Sequence, residues 1–183
     1  MTGDLTVISG PSGVGKGTVV RALAAAYPQV WVSISATTRP PRVGERDGVD
    51  YFFIDDGAFD ELIATDGLLE WATVHRSARY GTPSAPVEAA VAAGRRVILE
   101  IELQGARQVR ERIPGARYVF LAPPSNEALR DRLAGRGTET PEQMERRMET
   151  AAIELAARNE FDHVVVNDDL GQAVAELVEL LGL

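Results

Sequence analysis

The stretch Gly10-Pro11-Ser12-Gly13-Val14-Gly15-Lys16-Gly17-Thr18 constrains this chain more than any other. It follows an apolar run, Leu5-Thr6-Val7-Ile8-Ser9, that reads as a buried strand, and precedes an alanine-rich segment, Val19 to Tyr27, that reads as a helix. Strand, glycine-rich turn and helix in that order are the context in which a Walker A pattern becomes a phosphate site. Glycines let the backbone wrap with its N–H groups inward, and the helix start adds partial positive charge. Lys16 is the single lysine among 19 Lys and Arg residues. Arginine serves everywhere else, so position 16 calls for a flexible point charge rather than a planar fork, as a lysine reaching β- and γ-phosphates would supply. The bland alternative is a glycine-rich connector. One departure stands out: Gly17 occupies the place of the usual Ser or Thr, and Thr18 follows one residue later, which displaces the hydroxyl that ordinarily binds Mg²⁺.

The 183 residues suffice for one domain with a sizeable core, and 45% hydrophobic with 25% charged residues is the composition of a globular protein. With no cysteine, the chain has neither disulfides nor thiolate metal sites, which fits a reducing compartment. No signal-like N-terminus and no apolar run long enough for a membrane span are visible, so a cytoplasmic protein is expected. A net charge of −8 argues against a general nucleic-acid binder. Arginines nonetheless gather at Arg39, Arg42 and Arg46 and again at Arg130, Arg132, Arg136, Arg146 and Arg147, a pattern suited to small anionic ligands. No obligate protein partner is expected.

Strands are expected at 30–34, 51–54, 68–75, 96–101, 116–122 and 163–166, and helices over 59–64, 85–93, 104–112, 126–133 and 170–181. Thr140-Pro141-Glu142-Gln143 reads as a capped helix start, with Met144, Met148, Ala152 and Leu155 on one face. Gly81-Thr82-Pro83 reads as a break. This alternation predicts an α/β fold with a parallel central sheet flanked by helices. Residues 35–93 mix short strands with a long Pro-, Gly- and Arg-rich loop and look like an inserted lobe. Arg39 and Arg42 are spaced to converge on one phosphate from an extended loop, the alternative being a solvated basic loop. Glu100 and Glu102 share one face of a strand, the alternative being two acids at a solvent-facing strand end. His75, His163, Trp31 and Trp71 read as structural, and no cluster suggests zinc.

Several segments together resemble the guanylate kinase family: the glycine-rich loop, Ser35-Ala36-Thr37-Thr38-Arg39-Pro40-Pro41-Arg42-Val43-Gly44-Glu45, Asp50-Tyr51-Phe52-Phe53, Glu70-Trp71-Ala72, Tyr80-Gly81-Thr82, Gln104-Gly105, Gly135-Arg136-Gly137-Thr138-Glu139-Thr140 and Val166-Asn167-Asp168-Asp169-Leu170. They follow the family's order over nearly the whole chain. The resemblance implies a P-loop kinase core (1–34, 94–134, 159–183), a GMP-binding lobe (35–93) and a helical lid (135–158). It implies Mg²⁺-dependent phosphoryl transfer from ATP to GMP, and plausibly dGMP, with ADP and GDP as products. The acceptor is already an anionic phosphate, so no general base is needed and positioning with charge neutralisation carries the reaction.

By the same resemblance, residues 10–18 and Asn167 bind ATP, and Lys16, Arg132, Arg136 and Arg147 act on the transferring group. Arg39, Arg42, Tyr51 and Tyr80 hold the GMP phosphate. Glu70 and Glu102 accept the guanine N1–H and N2–H₂, and Ser35 and Thr82 face O6. Glu100-Ile101-Glu102 stands where the family usually has Asp-x-Asp, and Thr82 where it usually has Ser. Mg²⁺ would fall to Thr18 and Glu100, partly through water. Two other readings remain open at this stage. A kinase with another acceptor, such as AMP, shares the glycine loop but not the guanine-directed carboxylates. A catalytically silent phosphopeptide-binding module would have lost Lys16 and the lid arginines.

Overall fold

The computed structural model describes residues 5–74, 78–134 and 141–183. The chain runs β1 (Leu5–Ser9), α1 (Lys16–Ala26), β2 (Val30–Val32), β3 (Ala36–Thr37), β4 (Phe52–Phe53), α2 (Asp56–Ala64), β5 (Leu68–Val74) and β6 (Ala78–Pro83). It continues with α3 (Ser84–Ala92), β7 (Arg96–Glu100), α4 (Leu103–Arg112), β8 (Arg117–Ala122), α5 (Asn126–Ala134), α6 (Pro141–Ala156), a 3₁₀ turn (Ala157–Glu160), β9 (His163–Val166) and α7 (Leu170–Leu181). Five strands form a parallel sheet in the order β2-β7-β1-β8-β9. The chain leaves β1 for β2 and β7 on one side of it and then crosses to β8 and β9 on the other. The carboxyl ends of β1, β7 and β8 therefore meet at the crevice where parallel α/β sheets place their ligands.

β1 is buried along its whole length because both faces of the sheet are covered. Ile8, Val119, Leu121 and Val165 pack with α1, α5 and α7 on one side, while Val7, Val97, Leu99 and Tyr118 pack with α3 and α4 on the other. α3 lies within the residues expected to form the lobe, yet it buries Val87 and Ala90 against this main sheet. Two other expectations shift by a residue or a face. On α6 the buried alanine is Ala151 rather than Ala152, so the stripe runs Met144, Met148, Ala151 and Leu155. β9, expected in the core, is an edge strand with only Val165 buried.

A second, four-stranded sheet, β4-β3-β6-β5, stands beside the first. Gly81-Thr82-Pro83, expected as a break, continues β6 because it pairs with Leu68 to Trp71 of β5 across an antiparallel ladder. The small cluster beneath this sheet holds Ala36, Phe59 and Leu68. Asp55 caps α2 through the Ala58 N–H, Ser125 caps α5 through the Ala128 N–H, and Asp169 caps α7 through the Gln172 N–H.

Candidate active site

The glycine loop leaves β1 and enters α1 with Gly13 and Gly15 at φ 84° and 96°, in left-handed conformations that β-carbons disfavour. Gly15 is the N-cap of α1 and no side chain caps that helix, an arrangement in which the positive end of the helix suits an anion. The Asn167 amide, buried beneath the loop, donates to the Val14 carbonyl at 2.8 Å, and Arg132 Nη1 reaches the same oxygen at 3.3 Å. Asn167, expected to bind ATP, here props the loop through its amide nitrogen. The reason is space: a β-carbon at Gly15 would stand 2.7 Å from Asn167 Nδ2.

Lys16 Nζ donates to the Gly10 and Pro11 carbonyls at 2.5 and 3.3 Å and faces a cavity of about 270 Å³. Ser35, Tyr51, Glu70, Ala72, Tyr80, Glu100, Ile101 and Glu102 line the rest of it. The cavity unites the parallel sheet with the inserted one. Glu70 and Ala72 on β5 stand opposite Thr82 and Tyr80 on β6, so the alternation of the strands puts all four on one face. Glu100 ends β7, and Glu102 is the N-cap of α4.

Four carboxylates near the cavity are pushed above their usual range by burial: Glu70, Glu100, Glu102 and Glu154. Glu70 rises to about 7, opposed by the Thr82 hydroxyl and reinforced by the charge of Glu102. Lys16 opposes the rise in the other three. Glu102 Oε1 is buried and has no hydrogen-bond partner, a state that native structures seldom tolerate except where a ligand completes it. Thr82 Oγ1 donates to Glu70 Oε1 at 2.7 Å. Its proton is directed at the carboxylate in this arrangement, beside the O6 contact expected of it.

Arg39 is held by several groups, the Pro40 carbonyl at 3.0 Å among them. Its Nε donates to the Tyr80 hydroxyl at 2.9 Å, and its two terminal nitrogens donate to Glu45 at 2.6 and 2.8 Å. Its guanidinium also lies over the Tyr51 ring, 4.9 Å from the centroid. Glu45 is pulled down to about 2, chiefly by Arg39. Arg42 contributes its backbone N–H to the same carboxylate, but its side chain stays exposed and does not join Arg39. The reading of this loop missed Glu45, whose spacing of six from Arg39 was the available signal.

On the donor side, Arg147 Nη2 donates to Ser12 Oγ at 2.9 Å. The Ser12 N–H donates to Glu154 on the same helix at 3.3 Å. Glu154 also escaped the sequence, because 142 residues separate the partners. Arg136 and His75 lie outside the described residues.

Thr18 is exposed and does not line the cavity. A β-carbon at Gly17 would lie 3.3 Å from Glu100 Oε1 and from Arg21 Nη1. Glu100 thus faces the direction that a side chain at 17 would take, and its carboxylate fits a divalent cation there. No group of three or more His, Cys, Asp or Glu suited to a metal occurs among the described residues. No helix among them is long and apolar enough to cross a membrane.

The sequence model described as "Guanylate kinase" matches residues 2–182. A guanylate kinase of Cutibacterium acnes is 64% identical over 184 residues, spanning 100% of this chain and 92% of that protein. One from Thermobifida fusca is 58% identical, spanning 97% of this chain and 90% of that protein. The crystal structure of a guanylate kinase from Anaplasma phagocytophilum superposes with a TM-score of 0.80 at 31% identity, covering 99% of this chain and 85% of that one. A shikimate kinase from Bacteroides thetaiotaomicron, at 15% identity and a TM-score of 0.52, shares the fold.

Proposed function

Because the chain belongs to the guanylate kinase family, we propose that it transfers the γ-phosphoryl group of ATP to GMP, giving ADP and GDP, in the cytoplasm. The observation that carries the acceptor is the carboxylate pair Glu70 and Glu102, with Glu102 Oε1 buried and unsatisfied at the cavity wall. Guanine presents N1–H and N2–H₂ as adjacent donors, and two acceptors at one wall match them. Adenine offers an acceptor at N1 and would leave the carboxylates unpaired in a buried place, a large penalty against the wrong base. Ser35 supplies the hydroxyl for O6, and Thr82 sets the orientation of Glu70.

The GMP phosphate binds at Arg39, Tyr51 and Tyr80, with Arg42 swinging in from the surface. ATP phosphates bind the N–H groups of residues 10–18 and the start of α1. Lys16, Arg132 and Arg147 neutralise the charge on the transferring group, and Arg136 joins them from the lid. The acceptor oxygen already carries charge, so no base removes a proton. Mg²⁺, which the family requires, would be held with Glu100 through its water shell and would neutralise the triphosphate. dGMP, which carries the same guanine and phosphate and differs only at the ribose 2′-position, is proposed as a second acceptor.

A coupled assay of ADP release with GMP, dGMP, AMP, CMP and UMP tests the reading. GMP-dependent release well above the other four is expected. A preference for AMP, or no dependence on GMP, would overturn it.

A further inference from the structure

We propose that Gly105, on α4, is a specificity-determining residue of the acceptor site. Its lack of a side chain seats the Glu70 carboxylate against guanine. The inference rests on the guanine reading of Glu70 given above; Gly105 also offers its backbone N–H to Glu102, a bond that alanine at 105 would keep.

Glycine inside a helix costs about 1 kcal/mol relative to alanine, and is commonly excused by a backbone angle that other residues resist. Gly105 has no such excuse. It lies in the first turn of α4, and its φ is not among the positive ones. Its reason is steric. A β-carbon there would stand 2.5 Å from Glu70 Oε2 and 3.0 Å from the Glu70 carboxyl carbon. The first distance is far inside van der Waals contact, so a side chain at 105 and the present position of Glu70 exclude each other.

The surroundings leave Glu70 little freedom to retreat. Its other oxygen accepts the Thr82 hydroxyl, and the residue is only 5% exposed. The strand that carries it is tied to the same helix by the Gln108 amide, which exchanges two hydrogen bonds with the Trp71 backbone at 3.1 and 2.8 Å. One turn further along, Arg112 donates to the Leu68 carbonyl at 3.1 Å. β5 therefore cannot slide away from α4 to make room. The carboxylate is held between a hydroxyl on one side and a bare helix backbone on the other.

The test is the single variant Gly105→Ala with Glu70→Asp, Glu70→Ala and the two double variants. In steady-state assays Gly105→Ala is expected to raise KM for GMP on the order of tenfold to a hundredfold, the loss of one or two buried hydrogen bonds to a charged group. KM for ATP should stay within about twofold, because the substitution lies away from the glycine loop. Discrimination of GMP over inosine 5′-monophosphate, which lacks the N2 amine, should shrink by a similar factor. Aspartate withdraws the carboxylate by one methylene, so Glu70→Asp should cost less in the alanine background than alone. In thermal denaturation Glu70→Ala should recover stability lost in Gly105→Ala. That cycle needs no activity and decides the matter even if the single variant folds poorly. Additive effects in both cycles, or an unchanged KM for GMP in Gly105→Ala, would overturn the assignment of Gly105. Absence of GMP turnover in the parent protein would instead overturn the functional reading, while the stability cycle still judges the contact.

Discussion

Glu70 concentrates most of the acceptor chemistry in one titratable group. Burial holds its carboxyl at about 7, whereas in the unfolded chain it titrates near 4.5. Between those values the folded protein keeps a proton that the unfolded chain has lost. The contribution of Glu70 to stability is therefore full below about pH 4.5 and declines as pH rises to about 7. On the proposed guanine contacts binding runs the other way, since protonation removes the charge that strengthens the hydrogen bond Glu70 would accept from the base. KM for GMP is expected to rise as pH falls below about 7, approaching tenfold per pH unit. Glu70→Gln should raise KM at every pH and lose that step. Kinetics from pH 5.5 to 8.5 decide it, and an equal step in the variant would assign the titration to the phosphate of GMP. Lys16 offers a sharper division of labour. Lys16→Ala should lower kcat at least about a hundredfold, in the range known for groups that stabilise developing charge, while calorimetry finds GMP affinity within about twofold. Loss of GMP binding in that variant would refute the separation of donor and acceptor roles.

Among the elements, the glycine loop was the most legible, because left-handed glycines, a following helix and an isolated lysine are local signals. The supports beneath and above it were not. Asn167, Arg132, Arg147 and Glu154 reach the loop from α5, α6 and the end of β9, over separations of 118 to 153 residues, and no local pattern encodes such pairings. Asn167 carried only an expected nucleotide role; the fold also makes it a strut beneath the loop. Asn167→Ala leaves the Val14 carbonyl with only the longer Arg132 contact, so a loss of about 1–2 kcal/mol is expected, read as a lower Tm. KM for ATP should rise with it while KM for GMP holds. An unchanged melting curve would show that the amide bears no part of the loop. Two further misreadings share a cause in tertiary context. Adjacent alanines at 151 and 152 fit a helical stripe equally well until α5 chooses one, and Gly81-Thr82-Pro83 has turn chemistry that its ladder with β5 overrides.

The whole molecule joins two bodies of unequal strength. The parallel sheet is buried on both faces by large apolar clusters, whereas the inserted sheet rests on three fully buried residues and their partly buried neighbours. Local opening should follow that difference. Hydrogen exchange is expected to be slowest in β1, β7 and β8 and faster in β3, β4 and β6, with GMP protecting the latter group selectively. Equal protection across both sheets without nucleotide would contradict it. The carboxylates on Arg39 and on the Ser12 N–H give this architecture a further property. Glu45 and Glu154 already occupy groups on which each substrate's phosphates would draw, so the empty protein is electrically at rest and does not hold an open cationic pit. On the proposed roles each nucleotide would evict an internal anion to dock, and its affinity would be the difference between two occupants of one seat. Such a catalyst trades tightness for turnover: the tenant that displaces its product is built into the chain and never has to diffuse in.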